Sequence, residues 1–222
     1  MEIKIAGMHV MVGMPLYGSP TNKTVMSLLK TQGYCLHQGM AFSYTTSSGF
    51  VTFARADIIQ DFLASDADKL FWIDGDMAWS PESFCKMVAL STLRDIVCAG
   101  YPLKQDGGHT YIVNCEGVEA VTGDYGLLEI HGTGLGFSIW SREACQALWD
   151  SKPIIHDTFK NVMTREVFCV NARGGTRRTE DINVFEDLRA LGFKVYLDPT
   201  IELGHVGSKE WRGSVSELKE KA

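Results

Sequence analysis

Apolar and polar positions alternate in blocks along the chain: short buried runs are followed by stretches with helical spacing, the pattern of a sheet covered by helices. Residues 9–15 (HVMVGMP) read as a first buried strand, entering a loop from Pro15 to Pro20, and 24–30 as a short helix. The segment 51–64 contains ARADIIQDFLA, with Ile58, Ile59, Phe62 and Leu63 on one helical face. Residues 69–74 (KLFWID) form a second buried strand, and Ser80-Pro81 supplies an N-cap with proline at the first helical position. Residues 95–101 (DIVCAGY) are a third strand. Two more, 127–131 and 135–140, flank the bend Gly132-Thr133-Gly134, and Ser141 caps the following helix. Residues 171–179 (NARGGTRRT) read as a polar, mobile loop. A helix over 180–191 carries Ile182, Phe185 and Leu188 and stops at Gly192; a late strand covers 193–198. No linker interrupts the pattern, so one α/β domain is expected over 1–222, with a polar tail from about 208.

Composition narrows this only slightly. With 45% hydrophobic and 22% charged residues, the chain has the balance of an ordinary globular protein. It contains no run of roughly 20 apolar residues, and its first residues lack a signal-peptide core, so no membrane insertion and a cytoplasmic location are expected. Cys35, Cys85, Cys98, Cys115, Cys145 and Cys169 are scattered without C-x-x-C spacing, which disfavours a disulfide scaffold or a zinc site. The net charge of −6 advertises no nucleic-acid groove, although a local basic strip is compatible with it.

Three features carry chemistry. Asp74-Gly75-Asp76 follows an apolar strand directly, and the ends of strands in open α/β sheets are where ligands bind. Two carboxylates so close repel unless a cation sits beside them, which a divalent ion bridging to a diphosphate provides; alternatively D-G-D is only a turn. Thr179-Glu180-Asp181 opens a helix, where acids stabilise the dipole by roughly 0.3–1 kcal/mol or, functionally, supply an ionised general base. His205, between Gly204 and Gly207, is poorly explained by packing and suits the coordination of an ion held by Asp76. Arg173, Arg177 and Arg178 form a basic cluster that either clamps a diphosphate or is simply solvated.

In combination these features are more specific. The order strand–D-x-D, glycine-rich hairpin (HGTGLGFSIWSREA), T-E-D opening a helix, then strand–D-P and H-x-G resembles the GT-A class of glycosyltransferases, in the inverting family-2 manner. The stretches FARADIIQDFLASDADKLFWIDGDMAWSPE, AGYPLK and TEDINVFEDLRALGFKVYLDPTIELGHVG resemble short enzymes of large DNA viruses, phages and bacterial relatives, over most of 10–207. The resemblance implies a single mixed, mostly parallel sheet flanked by helices and a nucleotide-sugar donor, most commonly a UDP-sugar. The donor would be held by Pro15, Tyr17, Arg55, Asp74, Gly75 and Asp76; Asp57 stands where many relatives have Asn. It also implies Mn²⁺ or Mg²⁺ on Asp76 and His205, with Asp74 close by, and Asp181 as the general base supported by Glu180. The acceptor or sugar pocket would involve Lys104, Gly132, Thr133 and Gly134, with Trp211 stacking on a sugar or packing over the site. For a viral protein the location becomes the host cytoplasm.

Two other functions compete: a nucleotidyltransferase of related topology, and a non-catalytic nucleotide- or sugar-binding module. The first normally carries a glycine-rich, basic phosphate loop after its first strand, and MPLYGSPTNK matches that poorly. The second needs no base. For a transferase, the acceptor remains open among a glycan, a protein side chain, a lipid-linked sugar and a modified base in DNA.

Overall fold

The computed structural model describes residues 5–107, 110–114 and 124–221, so Cys115 lies outside the described residues. Strand β1 (His9–Leu16) leads into α1 (Asn22–His37), which Thr21 caps by accepting the amide of Thr24 at 3.2 Å. The helix is more than twice the length its hydrophobic spacing predicts. Its buried face is built from Thr24, Ser27, Thr31 and Cys35, small residues that an apolar pattern does not register. The edge strand β2 (Ala41–Ser48) escapes the sequence reading for a related reason, since most of its residues are polar and none is buried.

Helix α2 (Val51–Ala64) is followed by β3 (Lys69–Ile73), the short β4 (Met77–Ala78) and α3 (Pro81–Leu90), whose N-cap Ser80 accepts from Ser83. Next come β5 (Ile96–Cys98), β6 (Val113–Asn114), β7 (Leu128–Ile130), β8 (Gly132–Thr133) and β9 (Phe137–Ser141). Ser141 caps α4 (Arg142–Asp150), as its position predicts. Two hairpins, β10 (Ile154–Asp157) with β11 (Val162–Arg165) and β12 (Asn171–Arg173) with β13 (Thr176–Arg178), precede α5 (Glu180–Ala190). The second hairpin replaces the polar loop expected over 171–179. Gly174 and Gly175 sit at φ 57° and 79°, the left-handed pair that a two-residue hairpin turn requires. The chain ends in β14 (Val195–Leu197), β15 (Leu203–Val206) and β16 (Glu210–Gly213).

Seven strands make one sheet in the order β2-β1-β3-β9-β5-β14-β7. Pairings β1–β2, β1–β3 and β5–β14 are parallel, while β9 and β7 run against their neighbours, so five strands point one way and two the other. This is the expected mixed, mostly parallel sheet. Alternation along the strands divides the core into two layers. Leu70 and Trp72 face α2, α4 and α5 through Ile58, Phe62, Leu148 and Phe185, whereas Phe71 and Ile73 face α1 and α3 through Cys35, Phe84 and Val88. Gly13 lets α2 close onto β1, because a Cβ there would lie 2.4 Å from Ile58 Cγ2. A separate sheet, β16-β15-β4, pairs His205 with Met77 and so carries the late strand back to the residue after Asp76. No described helix is long and apolar enough to cross a membrane.

Candidate functional site

Adjacent parallel strands β1 and β3 end side by side, and the chain leaving β3 is pinned on all sides. The amide of Asp74 donates to the Gly136 carbonyl (3.1 Å), and the Gly75 carbonyl accepts from the Thr21 amide (2.8 Å) and the Thr24 hydroxyl (2.9 Å). The Asp76 carbonyl accepts the amide of Val206 at 2.8 Å. Asp74-Gly75-Asp76 is therefore tied to β9, to the start of α1 and to β15. A Cβ on Gly75 would lie 2.7 Å from Leu16 Cδ2, so glycine is what lets the turn close against the end of β1.

A cavity of about 240 Å³ opens there, lined by Pro15, Tyr17, Arg55, Asp74, Gly75 and Asp76 among others. These are the six residues expected to hold the donor, and the fold brings all of them to one concavity. Ser19 and Thr21, which the sequence reading did not single out, line it too.

Arg55 is the organising group on one wall. Its guanidinium bonds to Asp181 Oδ1 through Nη1 and to Asp74 Oδ1 at 3.2 Å through Nη2, with Glu180 Oε1 at 3.5 Å. The Arg55 side chain is 4% exposed and its Nε has no hydrogen-bond partner among the described residues. Burial disfavours the guanidinium charge, but Asp181, Asp74 and Glu180 together outweigh it and raise its pKa. On the carboxylate side, burial raises Asp74, with repulsion from Asp181 and Asp76 adding to the effect and Arg55 opposing it. Glu180 is likewise raised, first by burial and then by Asp181. Arg55 occupies the helical stripe of Ile58, Ile59 and Phe62; a cation in that stripe was the sequence signal for a buried arginine needing acids around it.

Tyr101 packs behind Asp74, against the glycine bend and His205. Its hydroxyl accepts the Gly136 amide at 3.3 Å and its ring meets His205 edge-on, with centroids 5.1 Å apart. Burial, then the charges of Asp74 and Asp181, push its pKa well up, so the phenol stays protonated. The glycine bend exists for this contact. A Cβ at Gly134 would lie 2.2 Å from the Tyr101 hydroxyl, and one at Gly136 2.8 Å from Asp74 Oδ2. Tyr101 lies in the AGYPLK stretch but had no role assigned to it.

Asp76, also in the cavity lining, is met from outside that lining by His205 and Lys104. His205 Nδ1 lies 2.9 Å from the Pro102 carbonyl, which only an N–H can satisfy, and this bond orients the ring so that Nε2 stands 3.5 Å from Asp76 Oδ2. Lys104 Nζ stands 2.5 Å from the same oxygen. Burial pushes the Asp76 carboxyl up, but hydrogen bonds from His205 and Lys104 overcome this and hold it at about 2. A carboxylate and an oriented imidazole fit a divalent ion, and the nitrogen donor favours Mn²⁺ over the more strictly oxygen-seeking Mg²⁺. No three His, Cys, Asp or Glu side chains among the described residues converge as a ready ligand set, so Asp76 and His205 would leave further positions to substrate oxygens and water. Asp74 is turned to Arg55 instead.

Other expected residues stand elsewhere. Gly132 and Thr133 are buried, one against Phe185 and the other with its hydroxyl donating to the Ile112 carbonyl at 2.6 Å. Lys104 lies on Asp76 rather than with that bend. Trp211 donates its indole N–H to Asp106 at 3.3 Å and packs near Lys104 over Gly207. Arg173 and Arg178 pair with Asp187 and Glu186 along α5, on its flank away from the cavity lining.

The protein is thus an α/β chain with a charged, metal-compatible cavity at the carboxyl ends of its parallel strands. Among solved structures it is similar to A197 from STIV, with a TM-score of 0.61 and 20% identity over 94% of this chain and 91% of that one, which is a likeness of fold. A glycosyltransferase involved in the glycosylation of the major capsid of PBCV-1 aligns at a TM-score of 0.34 and 14% identity, over 62% of each chain. No protein-family model matches the chain, and no curated protein matches it either.

Proposed function

We propose that the protein is a glycosyltransferase of GT-A type that transfers a sugar from a nucleotide diphosphate donor to an acceptor hydroxyl with inversion. The observation that carries this reading is the division of the charged groups behind the cavity lining: Arg55, which lines it, gathers Asp74, Glu180 and Asp181, while Asp76, also in the lining, is met by His205 and Lys104. The first group suits a base and the second a leaving diphosphate.

Pro15 and Tyr17 would flank the nucleoside, with UDP the preferred donor nucleotide, and Asp76 with His205 would hold Mn²⁺ or Mg²⁺ at the diphosphate. When bound, the ion would supply positive charge for the departing diphosphate. Lys104, already on Asp76, adds a second cation that can turn to the same phosphates. Arg55 binds Oδ1 of Asp181, which orients the carboxylate and leaves Oδ2 to take the acceptor proton. The new bond forms between the acceptor oxygen and the anomeric carbon as the bond from that carbon to the diphosphate oxygen breaks and its electron pair departs. Attack from the face opposite the leaving group inverts the configuration.

The nucleotidyltransferase reading is disfavoured because the lysine nearest the first-strand loop, Lys23, pairs with Glu210 on β16. The decisive test is donor hydrolysis with UDP-, GDP-, TDP- and CMP-sugars, with Mn²⁺ or with EDTA. Release of one nucleotide that requires metal and is lost in Asp76→Ala is the expected result. No release, and no metal-dependent thermal shift with any donor, would refute the transferase and favour a binding module.

A further inference from the structure

A second cavity, of about 510 Å³, lies on the far side of α2, between that helix, the β10–β11 hairpin and the segment leading into β12. The two cavities share one helical wall. Ala54 and Arg55 face the first, while Thr52, Phe53, Ala56 and Asp57 face the second. At its inner end the second cavity reaches Cys169 and Asn171, and Asn183 ties both to α5 by donating to the Cys169 carbonyl (2.8 Å) and the Asn171 side-chain oxygen (3.0 Å). Asn183 is two residues beyond Asp181, so the end of the cavity lining is tied to the helix that carries the proposed base.

A ridge of phenyl rings follows the same path. Phe50 and Phe53 stand 5.8 Å apart and Phe53 and Phe159 6.4 Å apart, and the three are 72%, 46% and 83% exposed. Phe50 lies between Gly49 and Val51, which line the first cavity, whereas Phe53 and Phe159 line the second. Three exposed phenyl rings joining two concavities form a patch that water disfavours and a ligand would cover. Their spacing is of the order of the repeat between linked pyranose rings.

The lining decides the ligand class. Exposed rings of Phe53 and Phe159 share the lining with the hydroxyl, carboxyl and amide groups of Thr52, Asp57 and Asn171. A lipid tail would strand those polar groups, and a purely ionic ligand would waste the rings. Charge excludes polyanions. Asp57, Asp157 and Glu166 line the cavity, Arg165 donates to the Lys152 carbonyl at 2.6 Å, and the nearby Lys160 is held by Asp57. Among the described residues no cation there is free of a protein partner to receive a phosphate, which disfavours DNA and diphosphate-linked lipids as acceptors. Pyranose rings present an apolar face and a hydroxyl rim, matching both halves of the lining.

We propose that this second cavity, with the Phe50–Phe53–Phe159 ridge, binds a neutral saccharide chain and delivers its terminal hydroxyl to Asp181. The delivery step rests on the transferase reading; the saccharide site does not. The test is saturation-transfer NMR and calorimetry with linear cello-, manno-, malto- and chitohexaose on the wild type, Phe53→Ser, Phe159→Ser and Asp76→Ala. Phe159 is almost fully exposed, so its replacement leaves the fold intact. At least one hexasaccharide should bind the wild type and Asp76→Ala equally, and each phenylalanine variant should weaken it about five- to tenfold. No binding across the panel, or binding indifferent to both phenylalanines, overturns the proposal. So does a 20-mer DNA, a phosphatidylcholine vesicle or self-association that depends on the same rings. Saccharide binding without any donor hydrolysis would instead retain the site and refute the transferase.

Discussion

Replacing Arg55 with methionine isolates the electrostatic core of the site. The substitution keeps an unbranched apolar stem within the α2 stripe and removes only the charge that Asp74, Glu180 and Asp181 share. Those side chains are 29%, 12% and 22% exposed, too little for water to replace the guanidinium fully. Breaking a buried pair by removing one partner costs about 3–5 kcal/mol. For a chain of this size that corresponds to a fall in Tm of about 6–20 °C. The pH dependence gives the sign. Burial already raises the folded pKa values of Asp74 and Glu180 above the ordinary carboxylate range, and losing Arg55 raises them further. A carboxyl raised in the folded state binds its proton more tightly there than when unfolded, so stability is recovered as pH falls through the raised value and is lost as pH rises. The deficit of Arg55→Met should therefore be largest at pH 7 and shrink at pH 5, measured by urea denaturation of both proteins at each pH. Arg55→Lys should recover only part of it, because an ammonium lacks the fork that reaches three acids. A midpoint equal to the wild type at pH 7, or a deficit identical at pH 7 and pH 5, would refute this account of the cluster.

Two further outcomes follow from the partners of Asp76 and from the glycine bend. Lys104→Met frees Asp76 from a cation at 2.5 Å, and since both side chains are about a third exposed the released interaction is about 0.2–1 kcal/mol. Mn²⁺ should accordingly bind up to about fivefold tighter, read from the free-ion signal by electron paramagnetic resonance, and weaker binding would contradict the placement of Lys104 as a competitor for the metal position. Gly134→Ala places a methyl 2.2 Å from the Tyr101 hydroxyl and should destabilise the protein by about 1–3 kcal/mol. Tyr101→Phe in the same chain should recover part of that loss, and strict additivity in the double-mutant cycle would mean that the two residues do not meet.

Much of this protein was legible because its signals are local. The apolar run before Asp74 predicts a strand end, Ser80-Pro81 and Ser141 predict helix starts, and the acids after Thr179 predict the first turn of α5. What failed was also local in origin. The buried face of α1 is made of threonine, serine and cysteine, and β2 is an edge strand, so neither carries the apolar period that marks an element. The glycine pair at 174–175 had the composition of a hairpin turn, but its short polar strands hide it among loop residues.

The chemistry divides in the same way. Residue type and place at a strand end or a helix start by themselves pointed to Asp74, Asp76, Asp181 and His205 as the groups to watch, although a turn and a helix dipole also account for the acids. Their partners were decided only by the tertiary structure. The distance in sequence from Arg55 to Asp181, from Tyr101 to Gly134 and from Lys104 to Asp76 is closed by sheet order and by the return of β15 beside β4, and no local pattern encodes either. Which carboxylate meets an arginine and which meets an imidazole is a matter of where the strands end in space. The sequence named the ionisable groups, and long-range packing assigned each its opposite charge.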